Sequence, residues 1–205
     1  GKASSSAKPA VAKGGVLPKG KDGKALNLDF ESGTLKDWTA KGDAFAKQPA
    51  KGPISQTRIY GEGKIALREG DYWLGGYEIQ LSDKGKGTLT SAPFKVTHPY
   101  AAFRIGGGSH AGTRVELSLV GAEKPFFTAR GSNSETMQPV EVDLRAHSGK
   151  EIFIRLVDEV SGGWGHVNFD DFKFYPAKPK FSGALVAVAR RKVNHADAAL
   201  PVDKV

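Results

Sequence analysis

Apolar residues alternate with polar ones along much of this chain, in short runs separated by glycine, proline, asparagine and serine. Leu26, Leu28 and Phe30 alternate with Asn27, Asp29 and Glu31, the period-two pattern of a strand with one buried face. Residues 72–79 are rich in aromatics, and the runs 87–91 and 94–96 flank Pro93, which marks a turn or a sheet edge. Ala101, Phe103 and Ile105 form one face of a strand that ends in Gly106-Gly107-Gly108; Val115, Leu117 and Leu119 do the same between Arg114, Glu116 and Ser118. Residues 126–129, 140–144, 152–157 and 167–174 complete the series. Turn residues recur roughly every 8–12 positions, and no internal segment sustains a helical period or a repeat. The pattern predicts an all-β fold, an antiparallel sandwich of jelly-roll type.

Composition refines the boundaries. The chain has 205 residues, enough for one domain with tails. Its net charge of +8 is unevenly placed: residues 1–24 carry +5 and residues 176–205 carry +4, leaving 25–175 at −1. A folded nucleic-acid site concentrates basic residues and stacking aromatics on one face, so the near-neutral centre argues against specific nucleic-acid binding. The basic tails favour only weak contact with polyanions. Residues 1–24 lack periodicity and read as a basic linker, with order expected from Ala25 or Leu26. The predicted domain covers 25–181. Beyond it, residues 182–205 read as a basic linker or short helix leading to a downstream domain.

There is no cysteine, hence no thiolate zinc site and no Cys-x-x-Cys-His attachment for haem in this chain. No run approaches the ~18 apolar residues of a transmembrane helix.

Three groups of residues could carry chemistry. In the first, Asp29 and Glu31 open the ordered region and Asp170 and Asp171 lie in the last strand. First and last strands of a sandwich commonly lie together, and carboxylates gathered beside a glycine turn suit a structural Ca²⁺, with a carbonyl near Gly33 or Asp43. Alternation places Asp170 and Asp171 on opposite faces, so only one should touch the ion. The alternative is that these carboxylates are solvated or cap turns. The second group is the stretch from Asp158 to His166, in which glycines surround Trp164. An aromatic face beside His166 and Asp158 can bind a sugar ring and its hydroxyls; the same residues can also plug a tight turn. The third is Gly106-Gly107-Gly108-Ser109-His110. It lacks the Gly-Lys-Ser/Thr of a phosphate loop and more simply leaves room for a neighbouring loop or ligand. The predicted ligand site therefore gathers Asp43, His110, Arg130, Asp158, Trp164 and His166, with the aromatics Trp73 and Tyr77 as a second surface. Nothing in the spacing of His110, His166 and Asp158 demands a transition metal.

Catalysis finds little support. No Gly-x-Ser-x-Gly elbow is present, and adjacent Asp170 and Asp171 do not make a glycosidase pair. The reading is of a binding module, not an enzyme.

Several segments occur together in a known order: Gly42-Asp43-Ala44-Phe45, residues 87–94, Phe103-Arg104-Ile105-Gly106-Gly107-Gly108 and residues 161–171, joined by Gly75-Gly76-Tyr77 and residues 94–100 and 149–158. Across residues 26–181 the chain resembles the jelly-roll domain appended to some bacterial fructan hydrolases. It is still more similar to the N-terminal domain of large secreted haem-binding, cytochrome c-type proteins of planctomycetes. That resemblance implies a galactose-binding-like or carbohydrate-binding-module-like domain of an exported, redox-active protein, periplasmic, extracellular or at the cell surface. Its partners would be a polysaccharide or glycan, or else the downstream domains against which it packs with no sugar ligand.

Overall fold

The computed structural model describes residues 14–52 and 67–181 and the backbone of 192–194. It is a sandwich of two antiparallel sheets. One sheet runs in the order β1 (Trp38–Gly42), β4 (Gly87–Ser91), β10 (Glu151–Asp158), β7 (Thr113–Leu119), β8 (Phe127–Ala129), β12 (Lys192–Asn194), with β5 (Phe94–Lys95) also pairing with β10. The other runs β2 (Ala50–Lys51), β3 (Tyr72–Gly75), β11 (Val167–Tyr175), β6 (Tyr100–Gly107), β9 (Ser134–Asp143). The only helical turn among the described residues is a 3₁₀ turn, Arg145–His147.

Alternation explains the core. Ile152, Ile154 and Leu156 of β10 face Phe103 and Ile105 of β6 and Phe169, Phe172 and Phe174 of β11 within one buried cluster. Aromatic rings dominate it: Phe30 stacks on Trp38 with centroids 5.2 Å apart, and Phe103 lies 5.4 Å from Phe169. The indole of Trp38 donates to the Asn27 carbonyl at 2.8 Å, so its one polar atom is satisfied inside.

Four expectations change. Leu26, Leu28 and Phe30 are buried as the alternation requires, but they form no strand. Phe30 has a φ of 59°, a left-handed backbone that interrupts an extended run, and the segment folds as turns over the sandwich. Residues 14–24, read as linker, include backbone pairings of Val16 with Phe174 and Lys19 with Ala25, so the packed region starts earlier than Ala25. Residues 1–13 lie outside the described residues, as does most of 182–205; within the latter, β12 pairs with β8. Trp73 is not a surface aromatic. It is 1% exposed, packs with Ala50 and Met137 on the outer side of the second sheet, and donates to the Gly52 carbonyl at 2.9 Å.

Strand register sorts the loops into two poles. Gly42, Gly87, Asp158 and Thr113 are register neighbours in the first sheet, and Gly75, Asn168, Gly106 and Gly107 lie level in the second. The loops 43–49, 76–86, 108–112, 130–133 and 159–166 therefore emerge at one pole.

Candidate functional site

The loops at that pole are drawn together by polar contacts between side chains and backbone. Glycine makes the first approach possible. The Gly108 amide donates to the His166 carbonyl at 2.9 Å, and a Cβ on Gly108 would collide with the Trp164 carbonyl, one on Gly107 with the His166 carbonyl. The glycines of 106–108 thus admit the 159–166 loop, as their run suggests. Gly162 and Gly163 have open space around them; what Gly162 supplies is a φ of 140°.

His166 sits at the centre. Its Nδ1 donates to Asp83 Oδ1 at 2.8 Å, and Nε2 lies 2.9 Å from Glu135 Oε1, close but off the line of a good hydrogen bond. Burial works against a charge here, but Asp83 and Glu135 outweigh it and push the His166 pKa up to about 9. The ring is flanked by Trp164, at 5.7 Å and 29°, and by Tyr77, at 5.5 Å and 41°. Asn168 extends the network: its amide donates to Glu135 Oε2 at 2.7 Å and its oxygen accepts from the Gly76 amide at 3.0 Å.

Asp83 acts as a fastener. One carboxylate oxygen binds His166, the other accepts from the Trp164 amide at 2.9 Å, and its own carbonyl accepts from the Gly162 amide at 3.0 Å. The 76–86 loop is thereby tied to the 159–166 loop. Trp164 holds a φ of 65°, a left-handed backbone that such contacts stabilise.

The remaining expected residues fall around this centre. Asp158 is 3% exposed, accepts from the Val160 amide at 3.2 Å, and has its pKa pushed up to about 7, chiefly by burial. The His110 ring contacts the Gly163 carbonyl at 3.1 Å, and Arg130 donates to the Ser109 carbonyl at 3.3 Å. Asp43 accepts from the Lys86 amide at 2.9 Å and braces the far end of the 76–86 loop. All six expected residues thus stand at one pole, but not as equals. Asp158 and His166 are buried, which suits holding loops in place, whereas Trp164 and Tyr77 are half-buried and His110 is exposed. Sequence reasoning missed Asp83, Glu135 and Asn168. Asp83 lies in a polar loop with no apolar pattern, and Glu135 and Asn168 look like ordinary outward strand positions.

Of the carboxylates expected to bind calcium, Asp170 and Asp171 lie in the middle of β11 and Asp29 and Glu31 in the early segment. The Phe172 amide donates to the Leu28 carbonyl at 3.2 Å, so the early segment does lie beside the last strand. Glu31 receives the Asp71 and Tyr72 amides at 3.0 and 2.9 Å, and Asp29 receives the Glu31 amide at 3.3 Å. Asp170 is fully buried; Oδ2 accepts from the Glu69 amide at 2.8 Å, while Oδ1 has no hydrogen-bond partner among the described residues. Burial raises the pKa of Asp170 well above the carboxylate range, and it also raises those of Asp29 and Glu69. Simple alternation fails here: a bulge separates Asp170 from Lys173, and Asp171 has a φ of 56° and pairs with Lys173 at 2.7 Å. No group of three or more His, Asp or Glu side chains among the described residues is arranged to hold a metal unaided. The buried Asp170 Oδ1, without a hydrogen-bond partner among the described residues, is a hard oxygen of the kind that binds Ca²⁺, and the Arg104 guanidinium of the register-paired residue already favours its charge.

No family model matches the chain. Over 145 residues, 70% of its length, it is 30% identical to ecdE of Aspergillus rugulosus, whose name places it among glycosyl hydrolases. The chain spans 19% of that relative. Among solved structures it is similar to TmCBM61 in complex with β-1,4-galactotriose, at 17% identity and a TM-score of 0.44, covering 77% of this chain and 97% of that one. It is also similar to the K1 cleaved adhesin domain of Lys-gingipain from Porphyromonas gingivalis W83 (14% identity, TM-score 0.40, coverage 76% and 96%). A family 35 carbohydrate binding module from Clostridium thermocellum follows, at 13% identity and a TM-score of 0.35, with coverage of 69% and 93%.

Proposed function

We propose that this chain is a non-catalytic glycan-binding module of a longer exported protein. The observation that carries the reading is the loop-pole platform: Tyr77 and Trp164 flank a charged imidazole that Asp83 and Glu135 hold in place. Half-buried aromatic faces fixed beside polar groups are what a sugar ring needs, since its C–H faces pack on aromatics while its hydroxyls take directed hydrogen bonds. In this reading Trp164 and Tyr77 supply the apolar contact, and His110 and Arg130 the polar rim. Asp158 and His166 position them. The sequence relationship supports the setting, because a module-sized fifth of a protein named as a glycosyl hydrolase aligns with most of this chain. The exported, redox-active parent rests on the sequence resemblance to planctomycete cytochrome c-type proteins.

A glycan array with the whole chain tests the proposal, paired with melting curves. Trp164→Ala should remove binding and leave the fold, because the Trp164 contact to Asp83 is made by the backbone amide. Loss of folding instead would favour a second reading, in which the pole is a structural knot and the module packs against neighbouring domains. The deep burial of His166 and Asp158 favours that alternative.

We further propose a structural Ca²⁺ at Asp170. Asp170 Oδ1 would be its buried ligand, Asp29 and Glu31 would contribute from the early segment, and Asp171 is committed to Lys173. The ion would supply charge compensation and no chemistry.

A further inference from the structure

We propose that the outer face of the β4–β10–β7 sheet is a second glycan-binding surface, built for an uncharged oligosaccharide lying along the strands. It borrows only the ligand class from the loop-pole reading; its location rests on separate residues.

A groove of about 320 Å³ opens on this face. That volume is at the lower end of small-molecule sites, which run ~300–1,000 Å³. Its floor is organised by Glu116, whose side chain is 6% exposed. Arg114 Nε donates to Glu116 Oε1 at 2.7 Å, and Arg155 Nη1 approaches Oε2 at 3.8 Å from the neighbouring strand. One buried carboxylate therefore orients two guanidinium groups across β7 and β10. The Arg155 guanidinium also lies 5.1 Å from the Phe153 ring centre, which fixes it from a second side.

A guanidinium has five N–H donors, and the contacts to Glu116, Glu159 and the Ala111 carbonyl engage only part of the Arg114 set. The hydroxyls of Thr88 and Ser118 line the same groove. Donors and acceptors thus share the floor, and the Phe153 ring, with Arg155 over it, is the apolar surface. The charges decide the ligand class. Arg114 and Arg155 stand against Glu116, Glu159 and Glu123, so the lining has a slight acidic excess. A uronate or sulfated sugar would have to compete with Glu116 for its own partners and would meet two further carboxylates. A neutral polyol uses both kinds of group without displacing any ion pair.

The Arg114 contact to the Ala111 carbonyl, at 3.0 Å, brings the groove up to the loop that carries His110. An oligosaccharide can therefore run down the sheet from the loop pole.

The test is calorimetric titration of the whole chain with neutral galacto-, gluco-, manno-, xylo- and fructo-oligosaccharides of two to six units, with oligogalacturonate as the anionic control. Amide shifts of Thr88 and Ser118 are followed in parallel. Binding of a neutral oligosaccharide should shift both amides. Arg155→Ala and Phe153→Ala should each weaken that event at least tenfold, with unchanged melting temperature. Arg155→Gln covers the case in which the alanine variant loses the fold. Binding that His110→Ala or Trp164→Ala removes, and that Arg155→Ala and Phe153→Ala leave unchanged, would overturn the groove and keep the loop-pole reading. Tighter binding of oligogalacturonate in the groove would overturn the neutral class. Binding of no oligosaccharide at all would overturn both sites.

Discussion

His166 combines deep burial with a positive charge, and it does so because two carboxylates face its two ring nitrogens. Its folded pKa of about 9 stands above the ordinary 6.5, so the stabilisation it provides is complete below about pH 6.5 and is lost as pH rises through 9. Asp158, at about 7, changes in the same sense: its neutral form is favoured by folding, and that advantage fades between pH 4 and 7. Melting temperature should therefore fall steadily from mildly acidic to alkaline pH, and His166→Gln should flatten the upper part of the curve. A wild-type profile that is level from pH 6 to 10 would remove this account of the charge. Gly108 provides a second test at this scale. Its missing Cβ is what lets the Trp164 carbonyl approach, so Gly108→Ala should destabilise by roughly 2 kcal/mol or more through backbone displacement. Trp164 and His166 stand out in the sequence because they are rare residue types set close together, and Gly106-Gly107-Gly108 because it is an uninterrupted run. Asp83 and Glu135 do not. They lie roughly 80 and 30 positions from His166 along the chain, and nothing local marks a carboxylate as the partner of a distant imidazole.

At the scale of elements, alternation located the interior strands well, because each of β6, β7, β10 and β11 buries one face in the aromatic core. It failed where burial and hydrogen bonding part company. Residues 26–30 bury three apolar side chains with no ladder beside them, so the pattern of a strand is present without the strand. β1 is the converse: only Trp38 among its five residues is buried, so an edge strand formed without any periodic signal. The bulge in β11 removes the premise that Asp170 and Asp171 face opposite ways. The 76–86 loop is tied by Asp83 to the 159–166 loop, while Ile79 packs on the Trp73 cluster and Asp43 holds its far end. Asp83→Ala should speed amide exchange at Trp164 and Gly162 while amides in β10 and β7 keep their protection. Equal loss of protection throughout would mean that the pole and the sheets unfold as one unit.

For the molecule as a whole, two measurements probe the long-range ties. Chelation should lower the melting temperature and restored Ca²⁺ should raise it again, with Asp170→Asn insensitive to both, because an ion bound only by the folded state stabilises it by mass action. Removal of residues 14–25 should also lower the melting temperature, since Val16 pairs with Phe174 and Leu17 packs on the core. The Val16 pairing has a geometric corollary. Val16 meets β11 near Tyr175, whereas the loop platform surrounds the other end of the same strand at Val167. The first described residues therefore reach the sandwich at the pole opposite Trp164 and His110. A probe attached at Val16 would therefore stand at the Tyr175 end of β11, a strand's length from the Trp164 platform, and would report on the early segment without touching the loops.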